Sequence, residues 1–414
     1  MKLSLHRKEA LRTTLWFVPT LLCLGAIALF FVTYAADRAG LRGLINTPGP
    51  DAARQILIAV AAAVITVVGL VFSIVIVALT LASTQFGPRM LRNFIRDRGT
   101  QWTLGLFVAT FVYCVLVLAS VGRIVPNVSL SVALALVIAD SGVLIYFIHH
   151  IAHSIQLPVV IADIAADLKR AIDTHVAQSE GDESITIEGG APIAARASGY
   201  LQFVEHRRLV AIAVAEDAVV QLLYRPGHFV SDGSPFAMVT PASAAAPFER
   251  ELDRAHITGP YRTLAQDLTF AIDQMVEIAI RALSPAVNDT FTAMTCIDWL
   301  GDGLSDITMR GLATTVHRDA DGRIRVIDAP VPYERIVDRA FDKIRQAGRG
   351  MPAIAIRQLA MLARVMQGAR TAEQRLVLQS QADMILRSSI EAIPEPNDRA
   401  DVQRRFDAVA RAGL

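Results

Sequence analysis

The chain has 414 residues, 53% hydrophobic and 19% charged, with a net charge of +1. That balance excludes a global field that would recruit nucleic acid, and no aromatic–basic interleaving offers bases a platform. The charge deficit lies in the first 157 residues, while the remainder has ordinary charge and the length of one or two soluble domains. The three cysteines, Cys23, Cys114 and Cys296, form neither a disulfide framework nor a zinc motif.

Lys2, Arg7, Lys8 and Arg12 precede an apolar run from Leu15 to Tyr34. The run is long for a signal peptide and lacks a small-x-small cleavage site, so it reads as a retained first membrane helix. Pro48-Gly49-Pro50 turns the chain. A second apolar run starts at Ile56. Continued as helix to Phe86 it would reach about 46 Å, against roughly 30 Å of hydrocarbon. Thr66, Gly69, Ser73, Thr80 and Thr84 recur in it at three-, four- and seven-residue spacings, which puts them on one helix face. Such a stripe either packs helices closely or, in a homo-oligomer, lines a polar conduit with hydroxyls.

Gly87-Pro88 interrupts that helix, and an amphipathic stretch with Arg89, Arg92, Arg96 and Arg98 follows. These arginines bind anionic headgroups or, beside a pore, ring its mouth. A third span runs from Trp102 to about Val121, and a fourth from about Val128 to His149. Lysine and arginine are more frequent in the N-terminal tail and second loop than in the first and third loops. This predicts the N-terminus and the long C-terminal region in the cytoplasm.

Asp140 lies near the middle of the fourth span, where an ionisable group must face protein or water. It reads either as a proton- or cation-sensing carboxylate or as a partner of hydroxyls such as Thr110 or Tyr113. His149, His150 and His153 follow at the end of that span. The one-turn spacing of His149 and His153 can seat a metal, and interfacial or pH-responsive histidines are the other reading.

Residues 156–183 read as an amphipathic linker helix and a polar break, with Val160, Ile164, Leu168 and Ile172 at fourfold spacing. From 184 to 246 the period changes to two. Strands are expected at Ser184–Glu188, Tyr200–Val204, Leu209–Val214 and Ala218–Leu223, forming a small β-barrel or sandwich. Residues 247–414 read as mainly helical, with a hairpin near 314–327 turning at Asp319-Ala320-Asp321-Gly322. Asp267, Asp273 and Glu277 on one helix, with Ser284, Asn288 and Asp289 after it, form either a helix break with a cap or a cation or ligand pocket. No phosphate-binding loop, nucleophile elbow or nucleophile–base pair is found, so an enzyme is not expected and no cofactor is implied.

The Gly227-x-x-Val230-x-x-Gly233 rhythm is similar to the hairpin of lipoyl- and biotinyl-like modules, without the lysine such modules modify. The whole chain resembles the bacterial predicted inner-membrane proteins of domain-of-unknown-function family 2254. The resemblance rests on Thr84-Gln85-Phe86-Gly87-Pro88-Arg89, Arg92-Asn93-Phe94, His149-His150-Ile151-Ala152-His153-Ser154-Ile155-Gln156, Arg225-Pro226-Gly227-His228-Phe229-Val230 and Ala282-Leu283-Ser284-Pro285-Ala286-Val287-Asn288-Asp289. It implies a multi-pass inner-membrane protein with a cytoplasmic C-terminal region and brings no activity with it. Taken together, residues 1–155 are expected to form a four-helix transmembrane domain in the lipid bilayer. A cytoplasmic α+β region follows, with its small β-rich module inserted among helices. Two functions fit: an oligomeric ion channel or transporter with the second helix lining the path, or a membrane-anchored sensor or scaffold whose cytoplasmic module binds a ligand or partner.

Overall fold

The computed structural model describes residues 16–41, 43–44, 49–86, 97–122, 126–177, 189–312, 316–329 and 331–413, without the side chains of 82–86, 176 and 177. The chain divides into two compact units, Met1–Val159 and Val160–Leu414.

The first unit holds four helices long and apolar enough to cross a membrane: α1 (Phe17–Arg38), α2 (Pro50–Phe86), α3 (Arg98–Ser120) and α4 (Asn127–Ser154). The hub is α3, which packs against the other three. It presents small or hydroxylated residues on several sides, and at Gly105 a side chain would meet Leu22 Cδ1 at 2.6 Å and Pro19 Cα at 3.0 Å. That glycine is what lets α1 approach closely. Against α3, α2 buries Ala53, Leu57, Ala61, Val64, Val71 and Val75, a seam at helical spacing. The opposite side of α2 carries exposed Ile58, Ile65, Leu70, Phe72 and Ile76, the surface expected against acyl chains.

Polar contacts pin the helix ends. Asp37 at the end of α1 accepts from Val128 N at 2.7 Å and Ser129 N at 3.1 Å, capping the start of α4. At the opposite end of α4, Asp97 caps α3 through Thr100 N at 2.8 Å and lies 2.8 Å from His150 Nε2.

In the second unit, α5 (Leu157–Ala177) is the amphipathic helix expected after the spans. Strands β1 (Ala191–Ala194), β2 (Gly199–Val204), β3 (Val219–Leu222), β4 (Phe229–Val230), β5 (Pro235–Thr240) and β6 (His256–Gly259) alternate with α6 (His206–Ala215) and α7 (Ala245–Leu252). Then come α8 (Leu268–Ala282), α9 (Thr290–Arg310), the hairpin β7 (Val316–Arg318) and β8 (Ile324–Ile327), and helices α10 (Tyr333–Ala347), α11 (Pro352–Gln367), α12 (Ala372–Ala392) and α13 (Pro396–Ala412).

The expected barrel does not close. Two small open sheets form instead, one ordered β1-β5-β3-β8-β7 and the other β4-β2-β6. The reason is non-local: Val326 and Ile327 of the hairpin pair in parallel with Val220 and Gln221, so a distant segment takes the edge of β3 that a barrel would have used. Leu209–Val214, expected as a strand, is helical. Its two fully buried residues, Leu209 and Ala213, stand four apart, which is a helix period. The strand expected at Ser184–Glu188 lies outside the described residues.

Candidate metal centre

Two segments far apart in sequence, the start of a helix and a hairpin, bring His206, His317 and Asp328 together. His206 is the first residue of α6, His317 is the middle residue of β7, and Asp328 follows β8 directly. The local fold explains each position. The hairpin is locked by Arg325, buried in β8, whose guanidinium donates to Asp319 at 2.7 Å and to Asp217 at 2.9 Å. With β8 fixed beside β3, Asp328 emerges against the start of α6, and His317, paired with Val326, lies on the same side.

His206 Nε2 stands 2.9 Å from Asp328 Oδ1, and His317 Nε2 stands 3.1 Å from Asp328 Oδ2. The imidazoles stack with centroids 3.9 Å apart and an interplanar angle of 18°. All three side chains are partly enclosed, at 14%, 18% and 20% exposure. Burial pushes the Asp328 carboxyl up, but its hydrogen bonds with both histidines outweigh that and hold it well below the usual carboxylate range. It is therefore an anion between two imidazole nitrogens. Farther out, burial lowers His175, with the Asp328 charge opposing and Arg225 assisting, so that imidazole favours its neutral form.

One ligand atom from each of His206, His317 and Asp328 lies within 4.8 Å of the others, and this is the one such group of three among the described residues. In a tetrahedral site with bonds near 2.0–2.1 Å, neighbouring ligand atoms stand roughly 3.3 Å apart. The observed 2.9 and 3.1 Å run to different oxygens of Asp328 and are hydrogen-bond distances, so an ion entering the group would displace these two hydrogen bonds. Two imidazoles and one carboxylate suit zinc or another divalent first-row metal, with at least one position left for water or a ligand.

The residues singled out from sequence fall elsewhere. Thr66, Ser73 and Thr80 each donate to the carbonyl four residues back, Ala62, Gly69 and Ile76, and lie with Gly69 on the outer face of α2. Among the described residues these four positions are exposed, and nothing lies within 4 Å of where a Gly69 side chain would stand. The Thr84 side chain and all of Arg89, Arg92 and Arg96 lie outside the described residues, and Arg98 is exposed at the start of α3. Asp140 is buried at 3% exposure and accepts from Thr110 Oγ1 at 3.3 Å. Tyr113, its other expected partner, bonds Thr33 at 2.9 Å and Ser129 O at 3.2 Å instead. His149 and His153 stack at 6.4 Å, while His150 engages Asp97.

The acidic set of the second unit divides between the two ends of α8. Asp267 caps its start and meets Arg262 at 2.7 Å. Arg262 also pairs with Asp273, which Arg339 reaches at 2.6 Å. Glu277 lies 3.6 Å from Arg281. Ser284 and Asn288 form the break after α8, where the Asn288 N–H donates to Ser284 O, and Asp289 caps α9 through Thr292 N at 3.0 Å. Asp267 and Ser284 are separated by roughly 25 Å along the axis at 1.5 Å per residue, so the six residues do not share one pocket.

Four apolar helices followed by an α+β unit define a multi-span protein of the lipid bilayer. The chain belongs to the family described as Predicted membrane protein (DUF2254), whose model matches residues 12–364. It is 31% identical to the uncharacterized proteins Mb1321c of Mycobacterium bovis and Rv1290c of Mycobacterium tuberculosis. Each alignment covers 99% of this chain and 82% of the relative. No solved structure matches.

Proposed function

We propose that this chain is a membrane-anchored sensor or scaffold whose C-terminal unit takes a divalent transition-metal ion on His206, His317 and Asp328. The observation that carries the reading is the convergence of three ligand-type side chains from α6, β7 and the end of β8 within 4.8 Å. The bias of lysine and arginine along the chain supports a cytoplasmic position for that unit. A metal bound there would tie the hairpin to the start of α6, so occupancy would be felt by the sheet edge. Zinc titrated calorimetrically into the purified, chelator-treated full chain is expected to bind one site per chain. His317→Ala should weaken that binding at least about tenfold. Equal binding by wild type and variant would reject the site.

A second reading, an oligomeric ion channel or transporter with α2 lining its path, is favoured by one specific observation. The Thr66/Gly69/Ser73/Thr80 stripe is exposed on the outside of the four-helix unit. Copies meeting there would surround an axis with hydroxyls and carbonyls. Images of purified particles distinguish the readings: a ring with an axial opening supports conduction, and a monomer or plain dimer supports the anchored sensor.

A further inference from the structure

Asp140 stands midway along α4, enclosed to 3% exposure. One carboxyl oxygen, Oδ1, accepts from Thr110 of α3. The other, Oδ2, is fully enclosed and has no hydrogen-bond partner among the described residues. Its own helix brings Val137, Val143 and Leu144 to the same side, and Thr110 is flanked one turn away by buried Phe107 and Cys114. Among the described residues no cation acts on it. Among the same residues, the titratable neighbour from α3 in its field is the Cys114 thiol. Tyr113 is engaged with Thr33 and Ser129. Between Arg54 and Leu81, α2 has no ionisable side chain, and the Asp37 and Arg38 charges of α1 lie at its end, where Asp37 caps α4.

An ionised carboxylate demands donors at both oxygens, and hydrocarbon supplies none. A neutral acid needs far less: one oxygen accepts a single hydrogen bond while the other carries its own hydrogen. Asp140 has the hydrogen bonding of the second case. We propose that Asp140 is a proton-binding site in the core of the membrane unit, occupied at neutral pH, with Thr110 orienting the acid through Oδ1. This is independent of the metal centre in the other unit.

A hydrophobic carbodiimide tests it on the full chain in detergent or lipid. A protonated carboxyl gives its proton to a carbodiimide nitrogen while its oxygen bonds to the central carbon. The resulting O-acylisourea rearranges to a stable N-acylurea, and no redox partner is required. Peptide mass spectrometry is expected to find the adduct on Asp140 at neutral pH, with labelling at least about tenfold slower in strong alkali and unaffected by excess sodium. Asp140→Asn, an isosteric mimic of the neutral acid, should lose the adduct and keep the wild-type melting temperature and elution volume. Absence of the adduct on Asp140 would overturn the proposal. So would protection by sodium, which would make the site a metal-cation site, or unfolding of the Asp140→Asn chain.

Discussion

At the scale of single residues, much of the second unit's polar chemistry gathers around Arg262. Its guanidinium spans Asp267, Asp273 and the Thr269 hydroxyl, and Arg225 and Arg339 add positive charge nearby. The Gly227-x-x-Val230-x-x-Gly233 rhythm was legible as similar to a hairpin, but the reason for its first glycine was not. Gly227 has φ +95°, and a Cβ there would overlap the Asp267 carboxylate, forty residues on. No local pattern announces such an approach. His228 beside it shows what the charge cluster does. Burial first, then the fields of Arg225, Arg262 and Arg339, lower its pKa from 6.5 to about 4. Above pH 6.5 the imidazole is neutral in both folded and unfolded chains and carries no pH-dependent penalty. Between 6.5 and 4 the unfolded chain takes up a proton that the folded chain refuses, so stability falls with pH. The loss attributable to this one side chain is at most roughly 3 kcal/mol. His228→Asn should therefore flatten the decline in urea midpoint between neutral pH and pH 4. An unchanged slope would remove His228 as its cause.

At the scale of elements, the four apolar spans were legible because length and composition alone select them. Their arrangement was not. The hydroxyl-bearing helix α2 draws attention in the sequence, yet α3 makes the most extensive contacts with the others. Its buried Gln101 and Thr103 look unremarkable in a run of mixed residues. Two glycines separate the roles. Gly105→Leu should disrupt the α1–α3 contact, where Leu22 and the Pro19 backbone leave no room, and lower the melting temperature. Gly69→Leu meets only open space within the chain and should leave the monomer's melting temperature unchanged. If copies pack on the α2 stripe, the same change should break the oligomer in sedimentation. An equal loss of thermal stability in both variants would contradict the assignment of α3 as the hub. In the second unit, strand and helix were confused at Leu209–Val214 because a short apolar run fits both periods until its neighbours are known.

At the scale of the whole molecule, the two units differ in how far a sequence can reveal them. The membrane unit is governed by local rules: runs, caps and small residues. In the second unit the sheet is completed by a hairpin about a hundred residues beyond β3, and the His206/His317/Asp328 group inherits that separation. His206 is 122 positions from Asp328, while His317 is 11 away. Spacing along a helix drew attention to His149, His150 and His153, where imidazoles sit one turn apart. The histidines that converge with a carboxylate instead belong to a helix start and a strand. No periodicity links them, so only the folded sheet reveals the site.

The most direct test of the metal centre is the visible absorption of the full chain titrated with cobalt(II), a spectroscopic stand-in for zinc. The account predicts intense d–d bands of a low-coordinate site, saturating at one equivalent and displaced by zinc. These bands should be absent in the His206→Ala/His317→Ala variant. A spectrum indistinguishable from cobalt in buffer, or bands that persist in the variant, would contradict it.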